Sequence, residues 1–427
     1  MKGRLNVFQA TMLRWKALHP YNAVHVVRIE EPLDAARLRE AIRNTLEAAG
    51  LTHLTLDDKH MQFEYAGGPV TPALEVHATP TDEASAIAAE IERQLNLPFK
   101  ANGYLEPLRF FAFPAAGGFN FGLGYDHIIA GGDSIVLMIR DIVRRYSGES
   151  ALPPPQVLYP CTPLRTVLRN ALAIVRGAGR IPSMVASLRS TLRPRLTNPA
   201  DGYNGYASFR LAPREFQALL ATTKQWGVTL NDMLLALLLL ALDPMTRERR
   251  DEPRRKELAV ASIMNLRRDL AGDARTTFGQ FLGSFRVSHP VPSGISLKDL
   301  AQDVHRDTSR IKSRRLYLHI LLAMRMNGWV WRLYSRPQQQ KLYAKSYPVW
   351  AGVTTVDVNA LWERKPESDP PEYFRGVSTG PLSPLVVAVT TSGDTLHAGI
   401  SYRTTAFDAA KIATLWADIH SRIASLG

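Results

Sequence analysis

Apolar residues along this chain alternate with polar ones over short stretches, then switch to a spacing of three and four, so strands and helices follow one another. The sharpest instance lies within residues 119–143. There Phe119, Phe121, Leu123 and Tyr125 fall on one face of a period-two pattern, and Ile135, Ile139, Ile142 and Val143 then recur at helical spacing. Upstream, the pattern predicts a strand over 22–29 and a helix capped by Asp34 with Leu38, Ala41, Ile42, Thr45 and Leu46 on its buried side. A strand over 60–65 and a helix over about 82–95 precede the stretch just described, whose helix runs to Tyr146. Pro153, Pro154 and Pro155 then form a stiff linker. The second half restarts with a strand over 206–211, a helix over 213–225 and a buried helix over 231–242. Strands over 258–263, 353–358, 385–390 and 396–402 alternate with helices and end in a helix over 409–426. The fold class is α/β, with no internal repeat and no low-complexity tract.

His127 stands where the alternating strand runs out and the helix is about to begin. An imidazole titrates near neutrality, so at a strand end facing a crevice it can take a proton from a hydroxyl, amine or thiol. The dull reading is a buried histidine satisfied by the backbone. Asp133 immediately precedes the apolar helix, and its default role is an N-cap. Asp126 neighbours His127, but alternation sends its side chain to the other face of the strand. Thr354 and Thr355 lie on a strand whose hydroxyls could donate to a developing oxyanion, or be ordinary β-branched strand residues.

Rival chemistries are weaker. Gly376-Val377-Ser378-Thr379-Gly380 satisfies G-x-S-x-G, but Pro381, Pro384 and an extended run follow where a nucleophile elbow needs a helix. No H-E-x-x-H and no cysteine cluster is present, so no metal site is expected, and neither phosphate-cradling nor dinucleotide glycine motifs occur.

The segment from Asp126 to Ser134 resembles the HHxxxDGxS motif of the condensation-domain and CoA-dependent acyltransferase superfamily. His127 matches the second histidine, Gly132 the glycine and Ser134 the serine; Asp126 replaces the first histidine and Gly131 the aspartate. Further segments are similar to the family: Asn22 to Ile29 followed by Pro32-Leu33-Asp34, Leu95 to Phe99 with Pro107 to Phe110, Met264-Asn265-Leu266-Arg267, and Phe278-Gly279-Gln280-Phe281. The resemblance covers nearly the whole chain. It implies two chloramphenicol-acetyltransferase-like α/β subdomains around a central tunnel. It also implies His127 as general base in acyl transfer from a thioester to a hydroxyl or amine, with acyl-CoA or a phosphopantetheinyl carrier protein as co-substrate and no bound cofactor. The candidate catalytic set is His127, Asp133 and Asp126. Thr354, Thr355 and Ser134 are the candidate substrate and oxyanion residues, and Gly132 and Arg267 the supports. In the family that arginine pairs with the motif aspartate, so Arg267 calls for another carboxylate, first of all Asp133. The altered motif keeps a second reading in view, a noncatalytic relative that binds an acyl carrier or lipid and scaffolds a biosynthetic complex.

Length and charge refine the picture. A chain of 427 residues, at roughly 100–200 per domain, divides into two or three units. The expected division is residues 1–155, a basic helical insertion at 156–200, and 201–427. One cysteine, Cys161, excludes an intrachain disulfide and suits a reducing compartment. No apolar run approaches the ~20 residues of a membrane span and none near the start reads as a signal peptide, so the expected location is the cytoplasm, peripheral to the inner membrane. The net charge of +13 calls for an acidic partner. Arginines 165, 169, 176, 180, 189, 193 and 195 alternate with apolar residues as in a cationic interfacial helix, and a second basic region runs from Arg306 to Lys345. Acidic carriers, CoA phosphates and anionic membrane are the expected partners; no nucleic-acid motif is found.

Overall fold

The computed structural model describes residues 1–99, 101–102, 104–150, 171–172, 175, 181–249, 254–269, 278–362 and 371–427. Pro153 to Pro155, Cys161, Arg165, Arg169, Arg176 and Arg180 lie outside the described residues.

Two large sheets carry the architecture. In the first, the neighbours in order are Tyr373–Val377, Asn22–Ile29, Gly118–Asp126, Leu108–Ala115 and Leu74–Val76. All pairs are antiparallel except the last. In the second the order is Asn204–Leu211, Thr395–Arg403, Leu385–Ser392, Ala351–Asp357, Leu258–Asn265 and Leu282–His289, and the Ala351–Asp357 strand is parallel to both neighbours. A smaller sheet of short strands, Lys2–Arg4, Leu54–Asp57, Gln62–Tyr65, Ala101–Asn102 and Tyr104–Leu105, flanks the first half.

The predicted alternation is real, and three of its five intervening positions, Gly118, Gly122 and Gly124, are glycine rather than polar. All nine residues of Gly118–Asp126 are buried, because helices cover both faces of this strand. Phe119, Phe121, Leu123 and Tyr125 pack with Leu38, Ile42, Ile135 and Ile139 on one side. On the other, Val24, Val26, Phe111 and Phe113 meet Ile87, Ile91 and Leu95 of the helix Glu83–Asn96. Gly122 makes room for a neighbouring ring on that second face: a Cβ there would lie 2.0 Å from Phe111. In the second half the helix Leu230–Leu242, capped by Thr229, is buried almost throughout beneath the sheet.

One strand leaves the half in which the chain places it. Tyr373–Val377 falls within the expected unit 201–427, yet it pairs with Asn22–Ile29 of the first sheet, Arg375 opposite His25. It is also wedged against the second sheet, since a Cβ on Gly399 would lie 1.8 Å from the Arg375 carbonyl oxygen. The two halves are thereby pinned together along the line where His127 sits.

Candidate active site

His127 follows the last residue of Gly118–Asp126 and is 4% exposed. Its backbone N–H donates to the Tyr21 carbonyl at 3.1 Å, and its ring lies 5.3 Å from Tyr21 and 5.7 Å from Tyr125 between centroids. Nδ1 is 3.0 Å from the carbonyl oxygen of Ala130, a group that only accepts, and 3.3 Å from Gln280 Nε2, whose two protons go to the carbonyls of His127 and Ala130. The proton therefore sits on Nδ1, and Nε2 presents its lone pair. No described residue takes that nitrogen. Gln280, reaching in from the second half, donates its amide to the carbonyls of His127 and Ala130 at 2.8 and 3.2 Å and so locks the loop. Burial pushes the His127 pKa down to about 4; the bond to Ala130 opposes this and the Arg375 charge reinforces it. The ring is neutral at pH 7 and available as a base.

His127, Tyr125, Gly132, Asp133, Asn265, Thr354, Thr355 and Arg375 line one cavity of about 90 Å³ between the halves. A larger chamber of about 520 Å³ adjoins it, and Trp15, Ser284, Met324 and Leu382 line both. The fold thus brings His127, Gly132, Asp133, Thr354 and Thr355 to one place.

Asp133 is not the N-cap. The helix is Gly132–Tyr146 and its cap is Gly131, which has no side chain to offer; Asp133 occupies the first turn. Freed from capping, its carboxylate lies 3.2 Å from Arg267 Nη1 and also accepts from Asn265 Nδ2. Arg267, 5% exposed, thus has its carboxylate, two residues beyond the position of the motif aspartate. Ser134 does not face the cavity. Its hydroxyl accepts from Arg267 and from the Gly279 N–H at 3.1 Å and approaches the Gly279 carbonyl at 3.3 Å, so it braces the two halves rather than touching substrate. Asp126 points away as well, into an ion pair with Lys16 and a bond from the Ile128 N–H at 3.3 Å. A carboxylate fixed there has no reach to the reacting atoms.

Arg375 is the site residue that periodicity could not flag. It is 2% exposed, donates from Nη1 to the Val389 carbonyl at 3.2 Å, and has no carboxylate within salt-bridge distance among the described residues; its Nε lacks any partner. Burial lowers its pKa, while Tyr125, Tyr373 and Asp133 hold the charge in place. Gly132 lies beside it: a Cβ there would be in ordinary contact with Nη2, at 3.6 Å. The one sequence signal was an arginine in the otherwise apolar strand Tyr-Phe-Arg-Gly-Val.

The G-x-S-x-G segment is not an elbow. Val377 ends a strand, no helix follows, and the Ser378 hydroxyl is spent on the Leu95 carbonyl at 3.2 Å and the Asn22 N–H at 3.1 Å. Glu75, His77 and Glu90 converge elsewhere, but Arg93 already bridges both carboxylates at 2.6 and 2.7 Å.

No family model matches this sequence, and no curated protein matches it either. Solved structures do. The first condensation domain of the CDA synthetase superposes with a TM-score of 0.68 at 16% identity, covering 100% of this chain and 96% of that one. The condensation domain from monacolin K polyketide synthase gives 0.71 at 13%, with 100% and 97% covered. The fold is that of a condensation domain. The X-domain from teicoplanin biosynthesis shares it, at 0.59 and 16% identity, over 99% of this chain and 94% of that one. The expected pair of α/β halves is borne out at the level of fold.

Proposed function

We propose that the chain is an acyltransferase that joins an acyl thioester to an amine or hydroxyl at His127. Nε2 takes the proton of the acceptor as its nitrogen or oxygen attacks the thioester carbonyl. The tetrahedral intermediate collapses with cleavage of the C–S bond, and the proton passes from Nε2 to the leaving thiolate, so amide or ester and free thiol result. The negative charge that forms on the carbonyl oxygen is met by the buried Arg375 guanidinium, with the Thr354 and Thr355 hydroxyls as further donors. The observation that carries this reading is the geometry of His127, with Nδ1 3.0 Å from the Ala130 carbonyl oxygen and Nε2 without a partner among the described residues, in a ring that lines the cavity. The similar domains belong to a synthetase and a polyketide synthase, which favours a donor held by a phosphopantetheinyl carrier over free acyl-CoA.

A second reading, a noncatalytic protein that binds an acyl carrier or lipid, draws on the ion-paired Asp126 in place of the first motif histidine and on a similar X-domain solved in complex with OxyB. One experiment separates them. Free thiol is measured from a panel of acyl-CoA and acyl-pantetheine thioesters with amine and alcohol acceptors, for the natural chain and for His127→Ala. Loss of about 10²–10⁴ in rate is expected. Unchanged turnover in the variant removes His127 as base, and no turnover by the natural chain favours the binding protein.

A further inference from the structure

The helix His319–Val330 and the turn Trp331–Leu333 that continues it are apolar on two sides. Ile320, Ala323, Met324 and Asn327, at helical spacing, line the chamber of about 520 Å³. Met326, Trp329, Val330 and Leu333 repeat that spacing on another face, and nothing among the described residues covers them fully: Met326 is 59% exposed, Trp329 71%, Val330 40% and Leu333 83%. A helix with apolar residues on opposite faces is ordinarily buried on both. Here the outer stripe stands in water.

Its surroundings say what would cover it. Residues 308–356 contain nine Lys and Arg and no Asp or Glu. Residues 150–200 contain seven Arg and again no acid. Sixteen of the 52 basic residues therefore lie in these two stretches and none of the 39 acidic ones, leaving 36 basic against 39 acidic for the rest of the chain. The net charge of the protein is thus a local property. Arg325 and Arg332, next in sequence to members of the outer stripe, are exposed, as are Arg336, Lys341 and Lys345 on the helix Arg336–Ser346 that follows. A second copy of the chain, or its own residues 150–200, would bring like charge to this face. A bilayer rich in anionic headgroups answers both features, since it takes apolar side chains below its surface and cations at it.

We propose that the outer stripe of this helix, Met326, Trp329, Val330 and Leu333 within a stretch whose charged residues are all cations, is a docking surface for anionic membrane. No single helix among the described residues is long and apolar enough to cross one, so the chain would lie on the surface by this stripe. The chamber behind the same helix would then open toward lipid, and the substrate class is an acyl group delivered from the membrane. The docking stands on exposure and charge, independent of whether His127 is a base; only the substrate class rests on the acyltransferase reading.

The test uses the full chain and sedimentation with vesicles of equimolar phosphatidylcholine and phosphatidylglycerol at low salt. Binding is expected there, with little on phosphatidylcholine alone, and weakening as ionic strength rises. Trp329→Glu with Leu333→Glu should lower partitioning at least about tenfold, as should charge reversal at Arg325, Arg332 and Lys341, with thermal melts unchanged because all five side chains are exposed. Brominated lipid should quench fluorescence that Trp329→Phe removes. Absence of binding to anionic vesicles overturns the proposal. So does binding that the Trp329 and Leu333 changes leave intact, which reduces the face to a cationic surface fit for any acidic partner, carrier proteins included.

Discussion

Replacing Asp133 by Asn should destabilise the protein out of proportion to the loss of one oxygen's charge. Arg267 is 5% exposed, its only carboxylate partner among the described residues is Asp133 at 3.2 Å, and its Nε is already without a hydrogen-bond partner. The remaining contacts, the Ser134 hydroxyl and the Phe281 ring 5.2 Å from the guanidinium carbon, do not neutralise the charge. Breaking a buried pair by removing one member costs ~3–5 kcal/mol, because the other charge stays behind in a medium that solvates it poorly. The Asp133 side chain is 27% exposed, and water reaching the site lowers that figure, so a loss of about 3 kcal/mol is expected. For a chain this long the denaturant slope exceeds ~3 kcal/mol per molar urea, and the unfolding midpoint should fall by something under ~1 M. The signature is what happens next. Adding Arg267→Met to Asp133→Asn removes the stranded charge, and the double variant should recover most of the loss. A midpoint for Asp133→Asn equal to that of the natural chain, or a double variant less stable than the single, would refute the argument that this ion pair replaces the missing motif aspartate.

Arg375→Met should act in opposite directions on stability and rate. Removing a buried guanidinium that lacks a carboxylate leaves the urea midpoint unchanged or raised, while kcat falls about 10²–10³-fold if Arg375 meets the oxyanion; a fall in stability with full activity contradicts both halves. Acidification should weaken the fold between pH 6.5 and about 4. His19, His127 and His397 are each pushed from 6.5 to about 4, chiefly by burial, so in that window the unfolded chain binds protons that the folded one refuses. Stability is fully present above 6.5 and falls with pH by up to about 1.4 kcal/mol per unit for each histidine, read as urea midpoints. For the same reason the acid limb of the rate profile should lie near 4; a limb at 6.5 would mean that His127 is not the base or is not buried.

Much of this protein was legible in its sequence. The strand Asn22–Ile29 has the limits its sequence predicts, though it is buried on both faces, and the buried side of the helix Ala35–Ala48 has the residues that periodicity predicts, because a half-buried helix must repeat its apolar residues at its own pitch. His127 was legible too, as the residue where one period gives way to the other. What the sequence left open depended on partners distant along the chain. By local spacing Asp133 reads as a cap; the family resemblance points to its pair with Arg267, and only the fold, which brings Asn265 and Arg267 from more than 130 residues on, decides between the two. Ser134 reads as a substrate contact until Gly279 and Arg267 claim its hydroxyl. Arg375 is one polar letter in an apolar strand, and only the pairing of Tyr373–Val377 with the other half's sheet carries it beside His127. The outer stripe of His319–Val330 and the turn after it has the same spacing as the inner one, and only the fold shows which stripe lines a chamber and which is left exposed. Local spacing fixes which face of an element is apolar, whereas electrostatic pairing and solvent exposure are properties of the space between elements, which no single stretch of sequence contains.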